Sequence, residues 1–314
     1  MSAAPPDADF ATALRCGLRR RPRSIAPKYF YDQRGSALFD RICELPEYYP
    51  TRTEFGILRQ HAGEMAECIG HGFELIEFGA GSLQKIRLLP GVLRQALRFV
   101  PIDISAEHLQ QEATRLAAEH PGLDVRPLAG DFSTELVLPP LAPGARARVG
   151  FFPGSSIGNF TPDEALGFLQ RCARLLAGGG LLVGVDLVKH PALLHAAYND
   201  AQGVTAAFNL NLLVRANREL GSDFDVAAFQ HYAFYEPRLQ RIEMHLLSAC
   251  RQTVTLAGER FDFEEGDALH TENSCKYTVA GFQALARQAG FDPQAVWTDA
   301  QRLFSLHWLA APPA

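Results

Sequence analysis

The residues best suited to chemistry gather around the stretch Phe73 to Ser82, FELIEFGAGS. Phe73, Leu75, Ile76 and Phe78 make an apolar run too short for a helix, which is how a buried parallel strand reads. Gly79 and Gly81 then let the backbone turn sharply and approach a ligand closely. The dinucleotide fingerprint is not met, because Gln84 stands where its third glycine would be. An E-x-G-x-G loop with an acid after the next strand suits an adenosyl group without a pyrophosphate. That acid is Asp103, closing the strand Arg98 to Asp103, near the position about 20 residues on where a ribose-binding carboxylate is expected. Asp131, in Gly130-Asp131-Phe132, follows a third strand; its carboxylate could accept from an adenine amino group while Phe132 covers the ring. An ordinary turn at the glycines and a helix cap at Asp131 are the structural alternatives.

The elements needed to hold these groups alternate. The spacing of Ile86, Leu89, Leu93 and Leu97 predicts a helix over Leu83 to Leu97. Ser105 is expected to cap a helix reaching Glu119, with a strand over Leu123 to Leu128. After a proline-rich connector, Arg148 to Pro153 reads as a fourth strand. Thr161-Pro162-Asp163-Glu164 combines an N-cap, a proline at the first helical position and a capping-box glutamate. Gly180 to Leu187 is a fifth strand. This repeated pattern predicts a doubly wound parallel sheet with ligands at its carboxyl edge. Residues 189 to about 230 then read as helical, and Arg241 to Glu265 as a pair of strands, which suggests an inserted second domain. Val279 to Ala289 is expected to be helical, and Ala295 to Thr298 with Phe304 to Leu309 to form a hairpin.

Before the sheet, residues 1 to about 23 are rich in Ala, Pro and Arg and expected to be poorly ordered at their start, with Arg19 to Arg23 a solvated turn. Ser36 is the expected cap of a helix carrying Leu38, Phe39, Ile42 and Leu45. Tyrosines 29, 31, 48 and 49 flank it and read as a pocket lining, with packing as the alternative, because a buried hydroxyl needs a partner.

Across 314 residues the net charge is −5, which offers no general attraction to nucleic acid. No apolar run approaches the roughly 20 residues of a membrane helix, and the basic N-terminal cluster does not lead into a secretory signal. The six cysteines are scattered without a C-x-x-C pair, as in a cytoplasmic chain with reduced thiols. The ten histidines show no H-E-x-x-H-like spacing, so no metal is expected.

The glycine loop, Asp103, the Gly130-Asp131-Phe132 turn and a terminal hairpin together resemble class I S-adenosylmethionine-dependent methyltransferases. The segments Y-F-Y-D-Q-R-G-S, L-P-E-Y-Y-P-T-R, G-S-S-I-G-N-F, A-Y-N-D-A-Q-G-V-T-A-A-F-N, R-I-E-M and T-E-N-S-C-K narrow this. From about Ser24 to Leu309 the chain resembles the L-histidine Nα-methyltransferases of ergothioneine biosynthesis. The resemblance implies a Rossmann-like class I sheet, parallel with a C-terminal antiparallel hairpin, plus a smaller α+β substrate-binding domain. The methyltransferase domain would be 55–188 with 278–314, and the histidine-binding domain 1–54 with 189–277. It implies S-adenosylmethionine held by Gly79, Lys85, Asp103, Asp131 and Phe132. It places Tyr31 beside the substrate amine and Tyr48 beside the imidazole. Asn159 and Tyr198 would hold the α-carboxylate and orient the amine. Glu272 and Ser274 would hydrogen-bond the imidazole, with Met244 lining its pocket. Tyr31 and Asn159 are the expected catalytic pair. Ala80 stands where a serine is expected, a small and harmless change.

The implied reaction methylates the α-amine of L-histidine up to the trimethylated betaine, hercynine. The implied enzyme is a cytoplasmic monomer with no nucleic-acid or membrane partner. The alternatives are the same chemistry on another amino acid, such as tryptophan or a thiolated histidine, and a non-catalytic S-adenosylmethionine-binding protein.

Overall fold

The computed structural model of the chain describes residues 6–313, with side chains from residue 9. It divides into two compact units: one takes the chain through Tyr49 together with Lys189–Ser274, the other Pro50–Val188 and the stretch from Cys275 onward.

In the second of these, the strands lie in the order Asp292–Thr298, Phe304–Ala310, Gly180–Asp186, Arg148–Phe152, Phe73–Phe78, Ala96–Asp103 and Asp124–Val125, with Leu128–Ala129 also pairing with Ala96–Asp103. The strands from Gly180–Asp186 to Asp124–Val125 run parallel, while Phe304–Ala310 and Asp292–Thr298 are antiparallel. Every residue of Phe73–Phe78 is buried, because apolar layers cover both faces; of its two acids, Glu74 is paired with Arg98 and Arg148. Leu75, Phe99, Phe151 and Leu182 pack with Ile57, Leu58 and Met65 of the helix Tyr49–Ile69. Ile76, Val100, Phe152 and Val183 pack with Phe168, Leu169 and Cys172 of the helix Pro162–Leu175 and with Phe282 of Val279–Gln288. The Thr161 capping box is formed as expected, the hydroxyl accepting from Glu164 N.

Two expectations fail here. Leu83 to Leu97 is not one helix: a single turn at Ile86–Leu88 precedes a short helix at Pro90–Gln95, and Ala96 already starts the next strand. Pro90 cannot continue the ladder from before it, and Leu83 sits at φ +54, outside helical space. Leu123 to Leu128 is likewise two short bridging strands interrupted at Arg126-Pro127.

The other unit carries a four-stranded sheet in the order Arg23–Ser24, Ala268–Cys275, Arg241–Ser248 and Phe229–Glu236, and a hairpin of Gln252–Leu256 with Glu259–Phe263. The helix Val204–Leu220 packs on the sheet through Asn209. Its Nδ2 donates to His245 O at 3.0 Å and its Oδ1 accepts from Thr271 Oγ1 at 2.8 Å.

This unit corrects more of the sequence reading. Pro6–Arg19 is a helix that the sequence reading did not assign, with Phe10, Leu14 and Leu18 fully buried; the stretch before residue 6, within the start expected to be poorly ordered, lies outside the described residues. The basic cluster is a solvated turn only in part: Arg20 to Pro22 form an exposed bend, but Arg23 turns inward. Arg23 is 4% exposed, donates to Asp262 O and Asp267, and stacks 4.0 Å over Phe263, while Arg19 pairs with Glu259. Ser36 does not cap its helix; Asp32 does, its Oδ1 accepting from Gly35 N at 2.7 Å. The segment read as helical to about 230 ends at Leu220, a strand beginning at Phe229. Three strands, not two, occupy Arg241–Phe263, and T-E-N-S-C lies on a fourth.

Candidate functional site

Phe73–Phe78 has Ala96–Asp103 on one side and Arg148–Phe152 on the other, so the chain order reverses at its carboxyl end. Such a switch point opens a crevice for a ligand. Gly79 and Gly81 leave this strand at φ +69 and +51, space that side chains rarely adopt. A Cβ on Gly79 would come within 3.1 Å of the Phe132 ring, so the bare backbone is what admits that ring.

The acids are oriented by the turns that carry them. Asp103 Oδ2 accepts from Gly81 N at 3.0 Å and Oδ1 from Ser105 N at 2.9 Å. Ser105 is at the N-cap position, but its own side chain does not cap. Asp131 Oδ1 accepts from Ser133 N at 2.8 Å and from Ser133 Oγ at 2.5 Å. Phe132 packs edge-on against Phe152 and Phe168, with centroids 5.3 and 6.1 Å away.

Lys85 Nζ meets Glu54 Oε2 at 2.8 Å, and Glu54 also accepts from Gly154 N at 2.8 Å. Neither Glu54 nor Glu77 was singled out from sequence. Glu77 is the acid of the E-x-G-x-G motif and was legible there, whereas Glu54 arrives on an earlier helix with nothing nearby to mark it. Glu77 is 1% exposed, and burial pushes its carboxyl well above the usual range, with Lys85 pulling the other way. Its Oε2 has no hydrogen-bond partner among the described residues. A buried acceptor left open beside a glycine loop fits a cofactor that brings its own cationic donor, as S-adenosylmethionine does with its ammonium and sulfonium.

Asn159 ends the short turn Ser156–Asn159, entered through Ser155 at φ +57. Ser155 Oγ accepts from Asp186 N at 2.8 Å, tying this turn to the end of Gly180–Asp186. A Cβ on Gly158 would lie 2.8 Å from Cys275 O, which is why G-S-S-I-G-N needs its second glycine.

The other unit gathers the aromatic candidates. Tyr31 meets Phe39 and Phe208 edge-on at 5.6 and 5.7 Å, and Tyr48 lies 6.4 Å from both Phe39 and Tyr198. Tyr198 Oη donates to Ser274 Oγ at 2.7 Å. Burial holds the Tyr48 phenol well above its ordinary range, reinforced by Tyr198, Cys43, Tyr31 and Glu272 around it. Glu272, Ser274 and Met244 are all buried. Local chain chemistry explains the placement of Tyr198. It ends the helix Pro191–Tyr198, Asn199 Nδ2 donates to Ala233 O at 3.1 Å, and Asp200 accepts from Val204 N and Thr205 N at 2.8 Å each. A-Y-N-D-A-Q-G-V is thus a helix stop joined to a helix start.

Two of the four flanking tyrosines have other work. Tyr29 donates to Asp9 at 2.8 Å and stacks on Phe10, burial raising its pKa to about 12. Tyr49 lies 2.6 Å from Lys189 Nζ.

A parallel sheet in this order with an antiparallel final hairpin, and E-x-G-x-G at its switch point, defines a class I S-adenosylmethionine-dependent methyltransferase fold. The family described as histidine-specific methyltransferase, SAM-dependent, matches residues 10–311, and the chain belongs to it. The histidine N-alpha-methyltransferase of Mycolicibacterium smegmatis is 42% identical over 299 residues, covering 93% of this chain and 92% of that protein. That of Mycobacterium tuberculosis is 43% identical over 296 residues, covering 92% and 91%. Ergothioneine biosynthesis protein 1 of Neurospora crassa is 31% identical over 309 residues, covering 92% of this chain and 33% of that protein. Among the described residues no helix is long and apolar enough to cross a membrane.

Proposed function

We infer that the protein methylates the α-amine of L-histidine with S-adenosylmethionine, up to histidine betaine (hercynine), the first step of ergothioneine biosynthesis. The observation that carries this is the set of half-buried Tyr31 and Tyr48 with buried Tyr198, Glu272 and Ser274, in a chain matched by the family over residues 10–311. The unit from Pro50 to Val188 and onward from Cys275 holds the methyl donor; the other holds histidine.

Bound S-adenosylmethionine supplies an electrophilic methyl on a cationic sulfur. Asp103 takes the ribose hydroxyls, Asp131 the adenine amino group, and Phe132 covers the adenine. Lys85 acts from its pair with Glu54, and Glu77 receives the cationic amino-acid end. Because the leaving group is already good, catalysis rests on presenting the amine lone pair in line with the methyl carbon, and positioning of this kind contributes roughly 7–11 kcal/mol. Tyr31 and Asn159 do that, with Tyr198 sharing the carboxylate. A strong base is unnecessary, since an α-amine with a pKa near ~8 loses its proton readily. Tyr48, held protonated, is a hydrogen-bonding group beside the imidazole, not a base. Glu272 and Ser274 fix the ring tautomer while Met244 fills the space beside it. The tyrosine rings also tolerate the permanent cation of the product through cation–π attraction.

An indole carries one ring N–H where an imidazole carries two polar nitrogens, so it has no use for a second polar contact beside Glu272 and Ser274, which disfavours tryptophan. We assign a cytoplasmic monomer that engages neither nucleic acid nor membrane, in keeping with the net charge of −5 and the lack of a basic stripe. Incubation with S-adenosylmethionine and each of the twenty amino acids, read by mass spectrometry, tests the function. Histidine alone is expected to gain three successive methyl increments, all on the α-nitrogen; preference for another amino acid, or no transfer, rejects it.

A further inference from the structure

The strand Arg241–Ser248 alternates buried residues (Ile242, Met244, Leu246) with half-buried ones (Arg241, Glu243, His245). Glu243 and His245 therefore stand two apart on the same face of the sheet. The neighbouring strand Ala268–Cys275 brings His270 beside them, with the His245 and His270 rings 5.0 Å apart. One ligand atom from each of Glu243, His245 and His270 lies within 4.8 Å of the other two. The histidine chemistry above uses none of these three.

We propose that Glu243, His245 and His270 bind one divalent transition-metal ion, with zinc the best match. Two imidazoles and a carboxylate make a borderline N/O donor set that suits zinc, whereas magnesium and calcium call for oxygen throughout. Metal–ligand bonds of about 2.0–2.2 Å put tetrahedral donors roughly 3.4 Å apart. The present triangle closes by side-chain rotation on a fixed sheet backbone, and water completes the shell.

The surroundings orient all three ligands. The Phe234 ring stacks on His245 at 5.5 Å and 17°. Asn273 Oδ1 sits 3.0 Å from His270 Nε2, the kind of second partner that fixes a ligand's tautomer. Arg241 Nε donates to Glu243 Oε1 at 2.8 Å, while Glu243 Oε2 faces His245 Nε2 at 3.0 Å. Arg241 also repels a cation, so the affinity is moderate and not that of a structural zinc site. The same two strands carry Met244 and Glu272, so an ion here pins the strands that present those residues.

Titration of tag-free, full-length protein with zinc against a chromophoric chelator is the test. One ion per chain at micromolar affinity is expected, with His270→Gln and Glu243→Gln each weakening binding by at least about tenfold. Cys16, Cys68 and Cys250 are exposed and could compete, so cobalt spectra supply a readout that needs no variant. Visible bands without thiolate-to-metal absorption support the proposal. Thiolate absorption, unchanged affinity in both variants, or no binding at all overturns it.

Discussion

The strand-end acids and the tyrosine cluster orient polar groups by opposite means. At the sheet, backbone holds side chain: Gly81 N and Ser105 N fix Asp103, and Ser133 N fixes Asp131. In the other unit, side chain holds side chain: ring against ring around Phe39, and hydroxyl to hydroxyl from Tyr198 to Ser274. The first arrangement is local at Ser105 and Ser133, each two residues from its acid, and reaches to the preceding strand's loop only at Gly81. The second draws on Tyr31, Tyr48, Tyr198 and Ser274, which are neighbours only after folding. The difference teaches that cofactor and substrate recognition should fail separately.

Asp103→Ala should have the largest effect. It removes the acceptor of Gly81 N together with the proposed ribose contact, and S-adenosylmethionine affinity should fall by more than about a hundredfold, as the loss of several charge-assisted bonds implies. Wild-type affinity by calorimetry would show that the ribose is held elsewhere. Next comes Lys276→Ala. Lys276 and Asp186 pair at 2.7 Å, each about 1% exposed, and breaking such a pair costs about 3–5 kcal/mol. Denaturant unfolding reads this directly, and a loss below about 1 kcal/mol would mean that Asp186 finds other partners.

A smaller effect is pH-dependent. Burial lowers the His307 pKa from 6.5 to about 4. The unfolded chain therefore takes up a proton at a higher pH than the folded one. The stability tied to neutral His307 is complete above about pH 6.5 and is lost as pH falls toward about 4, at most about 3 kcal/mol. His307→Leu should flatten the stability profile across that window; an unchanged slope would assign the dependence to other groups.

Legibility from sequence follows the same division. The strands at Phe73, Arg98, Arg148 and Gly180, the Thr161 capping box and the glycine loop were all readable, because parallel strands buried on both faces leave apolar runs and short turns leave glycines. The helix drawn across Pro90 was an error of periodicity, since apolar residues on a broken helix and on the strand that follows it happened to fall at helical spacing. Phe229–Glu236 was missed because its alternation carries His231 and Tyr232, both polar-tipped. The candidate site residues in the second unit came from resemblance, not from pattern. Nothing local in Tyr198 or Ser274 announces a partner so distant in sequence. The Glu243, His245 and His270 group escaped for the same reason, because its ligands come from two strands and match no single-segment spacing.

Calorimetry of Glu272→Ala with each ligand tests the separation most directly. The mutant should bind histidine about 1–3 kcal/mol more weakly, the usual cost of a lost buried polar partner, and S-adenosylmethionine as tightly as the wild type. Equal losses for both ligands would contradict the account, because Glu272 would then be supporting the fold and not the imidazole.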